Sequence, residues 1–234
     1  MAWLRVNVPV GGTAPKGTIL LTTGGAGTAF ERNSSPLAGA MIDTMVKDGL
    51  VAVEVAWVDP GIWGGPQART LACRYATVAK WVYANLHQGG KQTLFAAQGT
   101  SGGAAQIAFA LAHYGLDNVI DLANLGGGPP VCPLCTADPA RRTEPLLRMS
   151  RPFLGNPLFR EPQLNYPATT VRFFLGDREP SPDIVSDAND YYGSIGSKKT
   201  MQIVPGTAHD IEETQAGVDA FIASVRDALK SRGG

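Results

Sequence analysis

Charge of one sign is missing from this 234-residue chain: 20 basic and 20 acidic side chains cancel to a formal net charge of zero. That balance removes the electrostatic footprint expected of a protein that binds nucleic acid or an anionic membrane surface. Long apolar runs are also missing, and none approaches the roughly 20 residues needed to span a bilayer. Met1 to Val8 alternate like a strand and lack the basic-then-apolar layout of a signal peptide, so the ordered part is expected to start at once. Cysteine is scarce, with three residues in all. Cys132-Pro-Leu-Cys135 has redox or zinc spacing, but a structural zinc takes four ligands and no histidine lies near. The pair also falls in a Pro-rich stretch rather than at a helix start, where a reactive thiolate is favoured. The remaining expectations are buried free thiols, or one disulfide joining Cys73 to Cys132 or Cys135. A disulfide would imply a secreted or periplasmic protein, and free thiols a cytoplasmic one.

What the chain does have is a globular balance, with 44% apolar and 17% charged residues, and enough length for one α/β domain over residues 1–234. Strand-like and helix-like segments alternate throughout, the pattern of a mostly parallel sheet with helices on both faces. The runs at 18–21, 50–58, 92–97, 119–125, 170–175 and 200–204 read as strands after the first at 1–8. Helices are expected after Ser35, where Pro36 suits the first helical position, and over about 67–88, 102–116, 182–195 and 211–230. Leu37, Met41 and Met45 form one apolar stripe, and Leu71, Tyr75, Val78, Val82 and Leu86 another. Residues 127–167, rich in Pro and Arg, are the longest irregular stretch and are expected to form a small lid-like insertion.

One turn carries chemistry. Gln92-Thr-Leu-Phe-Ala-Ala97 leads into Gly99-Thr100-Ser101-Gly102-Gly103, and a helix follows. A serine hydroxyl needs a base to take its proton as it attacks. A sharp strand-to-helix turn lifts it above the sheet edge, and glycines two residues before and after relieve the crowding. Of three histidines, His87 ends a helix and His113 lies inside one, where both are expected to pack or to face water. His209 instead follows the strand ending Ile203-Val204, at the carboxyl edge where ligand chemistry gathers in open α/β sheets. A carboxylate must orient that imidazole, and Gly176-Asp177-Arg178-Glu179-Pro180 offers Asp177 and Glu179, with Asp183 more distant. Oxyanion donors are expected from the Gly102 amide and from the loop around Gly24-Gly25-Ala26. That glycine loop lacks the Gly-Lys-Ser/Thr of a phosphate-binding loop, and no dinucleotide fingerprint is present.

Together these pieces resemble the α/β-hydrolase superfamily: Thr23-Gly24-Gly25 as oxyanion loop, Gly99 to Gly103 as nucleophile elbow, and Gly-Thr-Ala-His209-Asp as histidine loop, in the order Ser, acid, His. The resemblance implies a mostly parallel sheet of about eight strands and hydrolysis of esters, amides or thioesters with no metal or organic cofactor. The leading expectation is a carboxylic-ester hydrolase acting on a small-molecule or polymer ester through Ser101. A peptidase or thioesterase with the same triad, or a binding protein that has lost catalysis, are the alternatives. Aligning Gly176 and Pro180 with the family's Gly-x-x-Asp-Pro turn favours Glu179 over Asp177 as the acid. Phe30, Trp57, Trp63, Tyr191 and Tyr192 are the aromatics that could line a cleft.

Overall fold

Three consecutive strands take up apolar residues without alternation, and each is buried along its whole length: β2 (Gly17–Thr22), β3 (Leu50–Trp57) and β4 (Leu94–Thr100). Continuous burial marks strands covered on both faces. The computed structural model describes residues 1–11, 14–58, 67–129 and 163–232. It adds β1 (Ala2–Asn7), β5 (Leu122–Gly126), β6 (Thr170–Gly176) and β7 (Lys199–Val204), giving one seven-stranded sheet of order β1-β3-β2-β4-β5-β6-β7. Only β1 runs antiparallel, against β3; the other pairs are parallel.

The expected count of about eight strands is therefore corrected to seven among the described residues. The stretch expected to form a lid falls mostly on residues 130–162, outside the described residues, as do Trp63, Cys132 and Cys135. Cys73 is exposed and unpaired among the described residues. No helix among the described residues is long and apolar enough to cross a membrane.

The period of two divides the core. Leu20, Val51, Val53, Val55 and Phe173 face one layer, with Tyr75 and Val82 of α2 (Gln67–Asn85), Ile107 and Phe109 of α3 (Gly102–Tyr114) and Tyr191 of α4 (Pro182–Ser194). Ile19, Leu21, Leu50, Ala52 and Phe174 face the other, with Met41 and Met45 of α1 (Pro36–Lys47) and Phe221 and Val225 of α5 (Gln215–Lys230). Ser35 caps α1 by accepting the Ala38 amide at 3.0 Å, and Pro36 takes the first helical position, as its fixed φ allows. α3 is buried from Gly102 to His113, which its Gly and Ala content permits without crowding the sheet.

Glu54 breaks the apolar pattern of β3 and is 0% exposed. It is answered completely: Arg32 gives Glu54 its Nε at 3.1 Å and its backbone amide at 2.9 Å, and Asn7 of β1 gives Nδ2 at 3.0 Å. The cluster ties the edge strand and the loop after β2 to the sheet's interior. Breaking such a pair strands a charge without solvent, so Arg32→Met is expected to lower the unfolding free energy by about 3 kcal/mol. Replacing Glu54 by Leu as well should recover most of that loss, read by denaturant unfolding of the two variants.

Candidate active site

β4 ends at Thr100, α3 begins at Gly102, and Ser101 makes the whole turn between them. Its backbone sits at φ 54° and ψ −120°, and it is the only non-glycine at positive φ among the described residues. Such a conformation costs about 1–3 kcal/mol and persists only where the surroundings impose it. Here the Ser101 amide donates to the Gly126 carbonyl at 2.8 Å, and the Ser101 carbonyl accepts from Ala105 at 3.0 Å. The flanking glycines are a matter of space. A Cβ on Gly99 would lie 2.7 Å from the Gly103 carbonyl carbon and 2.9 Å from the Thr22 oxygen; one on Gly103 would strike the Thr22 and Thr23 carbonyls.

The carboxyl ends of β2, β4 and β7 open on one cleft of about 390 Å³. Thr23, the run Gly24 to Ala29, Ser34, Ser101, His209 and the acids Asp210, Glu212 and Glu213 line it. The expected oxyanion residues Gly25 and Ala26 thus share a wall with Ser101, and Gly24 approaches closely enough that a Cβ there would lie 3.2 Å from Ser101 Cβ. Gly102 is the first residue of α3, where an amide has no acceptor within its own helix. Thr23 braces the loop by donating its hydroxyl to the Ala29 carbonyl at 3.1 Å.

His209 stands at the end of the turn after β7. Its Nδ1 is 2.8 Å from Oε2 of Glu179, whose side chain is 2% exposed against 24% for the imidazole. The other Glu179 oxygen accepts the Ser181 amide at 3.1 Å. Asp177, the competing acid, is exposed and does not meet the histidine; its Oδ1 accepts the Thr207 amide at 3.3 Å, bracing the histidine loop from below. Asp183 lies in the first turn of α4. Ser101 and His209 face the same cleft with no hydrogen bond joining them among the described residues; apo sites are often loose in this way and tighten with substrate.

The other two histidines pack. His87 rests on Tyr83 and Phe95, with Nε2 against the Gly90 carbonyl at 2.8 Å, and burial pushes its pKa below the ordinary value. His113 is buried and stacks on Phe109. Two of the cleft aromatics expected from the sequence belong to the core instead. Trp57 is 3% exposed, with Nε1 donating to Gln106 Oε1 at 2.9 Å. Tyr191 is buried and shares a hydrogen bond with Tyr166. Tyr192 packs edge-on to Phe173, and Phe30 lies under the Arg5 guanidinium. An aromatic ring whose polar atom finds a buried partner sits in the core at no polar cost.

The sequence reading missed a pair of buried acids, one of which, Glu212, lines the cleft. Glu212 sits in the 3₁₀ turn Ile211–Glu213, and its Oε2 accepts the Thr100 hydroxyl at 2.6 Å. Glu31, in the 3₁₀ turn Glu31–Asn33, is 2% exposed, and its Oε2 has no hydrogen-bond partner among the described residues. Burial pushes both carboxyls up, Glu31 strongly, and the charges of Glu212, Glu54 and Asp210 raise Glu31 further. Only a buried, unpartnered acid at a central position signals such a pair, and neither property is visible in a linear chain. No group of three or more metal-ligating side chains is assembled among the described residues.

No family model matches the chain, and no curated protein matches its sequence. Solved structures do match it over nearly its whole length. A dienelactone hydrolase from Anabaena variabilis superposes with a TM-score of 0.62 at 14% identity, over 98% of this chain and 89% of its own. The fold is that of the α/β-hydrolases. A thermostable carboxyl esterase from Bacillus coagulans gives 0.63 at 12% identity over 97% and 94%. A proline iminopeptidase from Mycobacterium smegmatis gives 0.59 at 13% over 99% and 95%. At such identities the likeness concerns the α/β-hydrolase fold alone, and the chemistry rests on the site.

Glu31 gives a pH dependence with a definite sign. Below the ordinary carboxyl value of 4.5 the group is protonated folded and unfolded, and it leaves stability unchanged. Above that value the unfolded chain releases the proton while the folded chain holds it, so stability is lost as pH rises toward the raised folded pKa. Glu31→Gln has no proton to release. Its melting temperature is expected to match wild type near pH 4 and to exceed it increasingly toward neutrality, measured by thermal melts across that range.

Proposed function

We propose that this α/β-hydrolase-fold protein is a serine hydrolase cleaving carboxylic esters through an acyl-enzyme on Ser101. The observation that carries the reading is a strained serine at a strand-to-helix turn, sharing a cleft with a histidine whose far nitrogen is held by a buried glutamate. With Nδ1–H donating to Glu179, the imidazole keeps Nε2 free as the proton acceptor. Ser101 Oγ attacks the carbonyl carbon as its proton passes to Nε2, and a tetrahedral oxyanion forms. Amides of Gly102 and of Gly25 or Ala26 are the proposed donors to that oxygen. Collapse expels the alcohol, which takes the proton from Nε2, and leaves the acyl group on Ser101. Water, deprotonated by the same nitrogen, then attacks the acyl carbon, and collapse returns that proton from Nε2 to Ser101 Oγ as the carboxylic acid leaves.

Small residues along Gly24 to Ala29 line one wall of the cleft, and its volume of about 390 Å³ suits a compact ester. The iminopeptidase of the same fold keeps an amide substrate as the second reading. Matched ester, thioester and amide substrates decide between them.

A fluorophosphonate is expected to label Ser101 and to abolish turnover of p-nitrophenyl esters, and Ser101→Ala should be neither labelled nor active. Full activity in Ser101→Ala, or ligand binding that never leads to turnover, would mean a binding protein on a hydrolase fold. The two acids of the β6 turn separate just as sharply. Glu179→Gln should lower kcat by about 10²- to 10⁴-fold, while Asp177→Asn, whose role is a brace, should change it by no more than about threefold.

A further inference from the structure

Nothing in the proposed triad itself fixes how far Ser101 stands from His209. They belong to segments 108 positions apart in sequence, carried by different strands, and no hydrogen bond joins them among the described residues. Their separation must be set by what holds the two segments together. Among the described residues one side-chain hydrogen bond joins them, from the Thr100 hydroxyl to Glu212 Oε2 at 2.6 Å. Thr100 immediately precedes Ser101 and is 1% exposed; Glu212 follows His209 by three residues and is 3% exposed. In that dry setting a hydroxyl–carboxylate bond is short and strong.

Glu212 is anchored a second time. Its backbone carbonyl accepts the Ser35 hydroxyl at 2.9 Å, and the same Ser35 oxygen caps α1. Ser35 ends the loop that begins at Thr23, so the glycine wall of the cleft is tied to this residue as well. Ile211, its neighbour, is fully buried in the sheet's second core layer. Glu31, whose Oε2 has no hydrogen-bond partner among the described residues, lies close enough that the charge of Glu212 helps to raise its carboxyl.

We infer that Glu212 is a positioning residue: through Thr100 it holds the histidine loop against the nucleophile turn, and through Ser35 it holds the glycine loop to both. The inference rests on the serine-hydrolase reading for its effect on rate, and on geometry alone for its effect on the placement of His209. Thr100→Val removes the donor with almost no change of shape, and Thr100→Ser restores it. Glu212→Leu removes the acceptor, and Glu212→Gln keeps an acceptor oxygen.

Ester turnover and the NMR resonances of the His209 ring are measured on all four variants and on Thr100→Val/Glu212→Leu. Thr100→Val and Glu212→Leu are each expected to lower kcat by about 10- to 100-fold, as a misplacement of an ångström or less can do, with KM within about twofold. The double variant should lose no more than the worse single one, because both remove the same bond. Thr100→Ser and Glu212→Gln should recover most of kcat, and the His209 ring signals should move in Thr100→Val but not in Thr100→Ser.

The inference is overturned if Thr100→Val keeps wild-type kcat, if Thr100→Ser fails to rescue, if the two losses multiply, or if only KM rises, which would make Glu212 a substrate contact. If Glu212→Leu does not fold, the two Thr100 variants carry the test. If the wild type turns over no ester and takes no fluorophosphonate, the hydrolase reading fails separately. The His209 signals then decide the positional claim, and unmoved signals in Thr100→Val sink it.

Discussion

Everything at the carboxyl edge of this sheet depends on how closely α3 can approach the ends of β2 and β4. Side chains at Gly99 or Gly103 would occupy the space of the Thr22 and Thr23 carbonyls and of the turn itself. Without them the helix starts directly on the strand end, and one residue must reverse the chain. Ser101 does so at positive φ, a state that an L-residue adopts only under constraint. The constraint is supplied from the next strand, by the Gly126 carbonyl, and from inside the helix, by Ala105. Strain at Ser101 and the absence of side chains beside it are one fact seen from two sides.

The second organising problem is electrostatic. Four buried glutamates surround this edge, and each is handled differently. Glu54 meets Arg32 and Asn7, Glu179 meets His209 and the Ser181 amide, and Glu212 meets the Thr100 hydroxyl. Glu31 has an oxygen with no partner among the described residues, and burial among like charges pushes its carboxyl well up. Neutralisation by protonation is the ordinary outcome when a carboxyl is buried without a cation.

Residues whose placement follows from local sterics were legible in the chain. Ser101 was, because a turn crowded on both sides needs glycine two residues away in each direction. His209 was, because it alone follows a strand at the carboxyl edge of the sheet, whereas His87 lies just past the end of α2 and His113 inside α3. The five α-helices among the described residues were legible too, apart from their ends: α2 stops at Asn85 rather than 88, and a separate 3₁₀ turn over Ile211–Glu213 precedes α5. Asp177 and Glu179 could not be ranked from spacing alone, since both lie in one turn and differ only in which way each side chain leaves it. Nor could the aromatics, because ring type does not reveal that Trp57 has Gln106 to bond with. Thr100 and Glu212, 112 positions apart, meet only after the sheet has formed, and no pattern along the chain announces such a pair.

These distinctions bear on how similar residues come to do different work. Glu179 and Glu212 lie on either side of His209, both buried and both accepting a strong hydrogen bond. Glu179 faces Nδ1, so its carboxylate meets the imidazole directly and fixes its orientation. Glu212 faces a hydroxyl on the neighbouring strand and shares no hydrogen bond with the ring, so its influence must pass through the backbone of the turn. An acid's place in the site is set by which donor its carboxylate meets. In this protein that donor is decided by sheet order: β6 delivers Glu179 to the histidine loop, and β4 delivers Thr100 to Glu212.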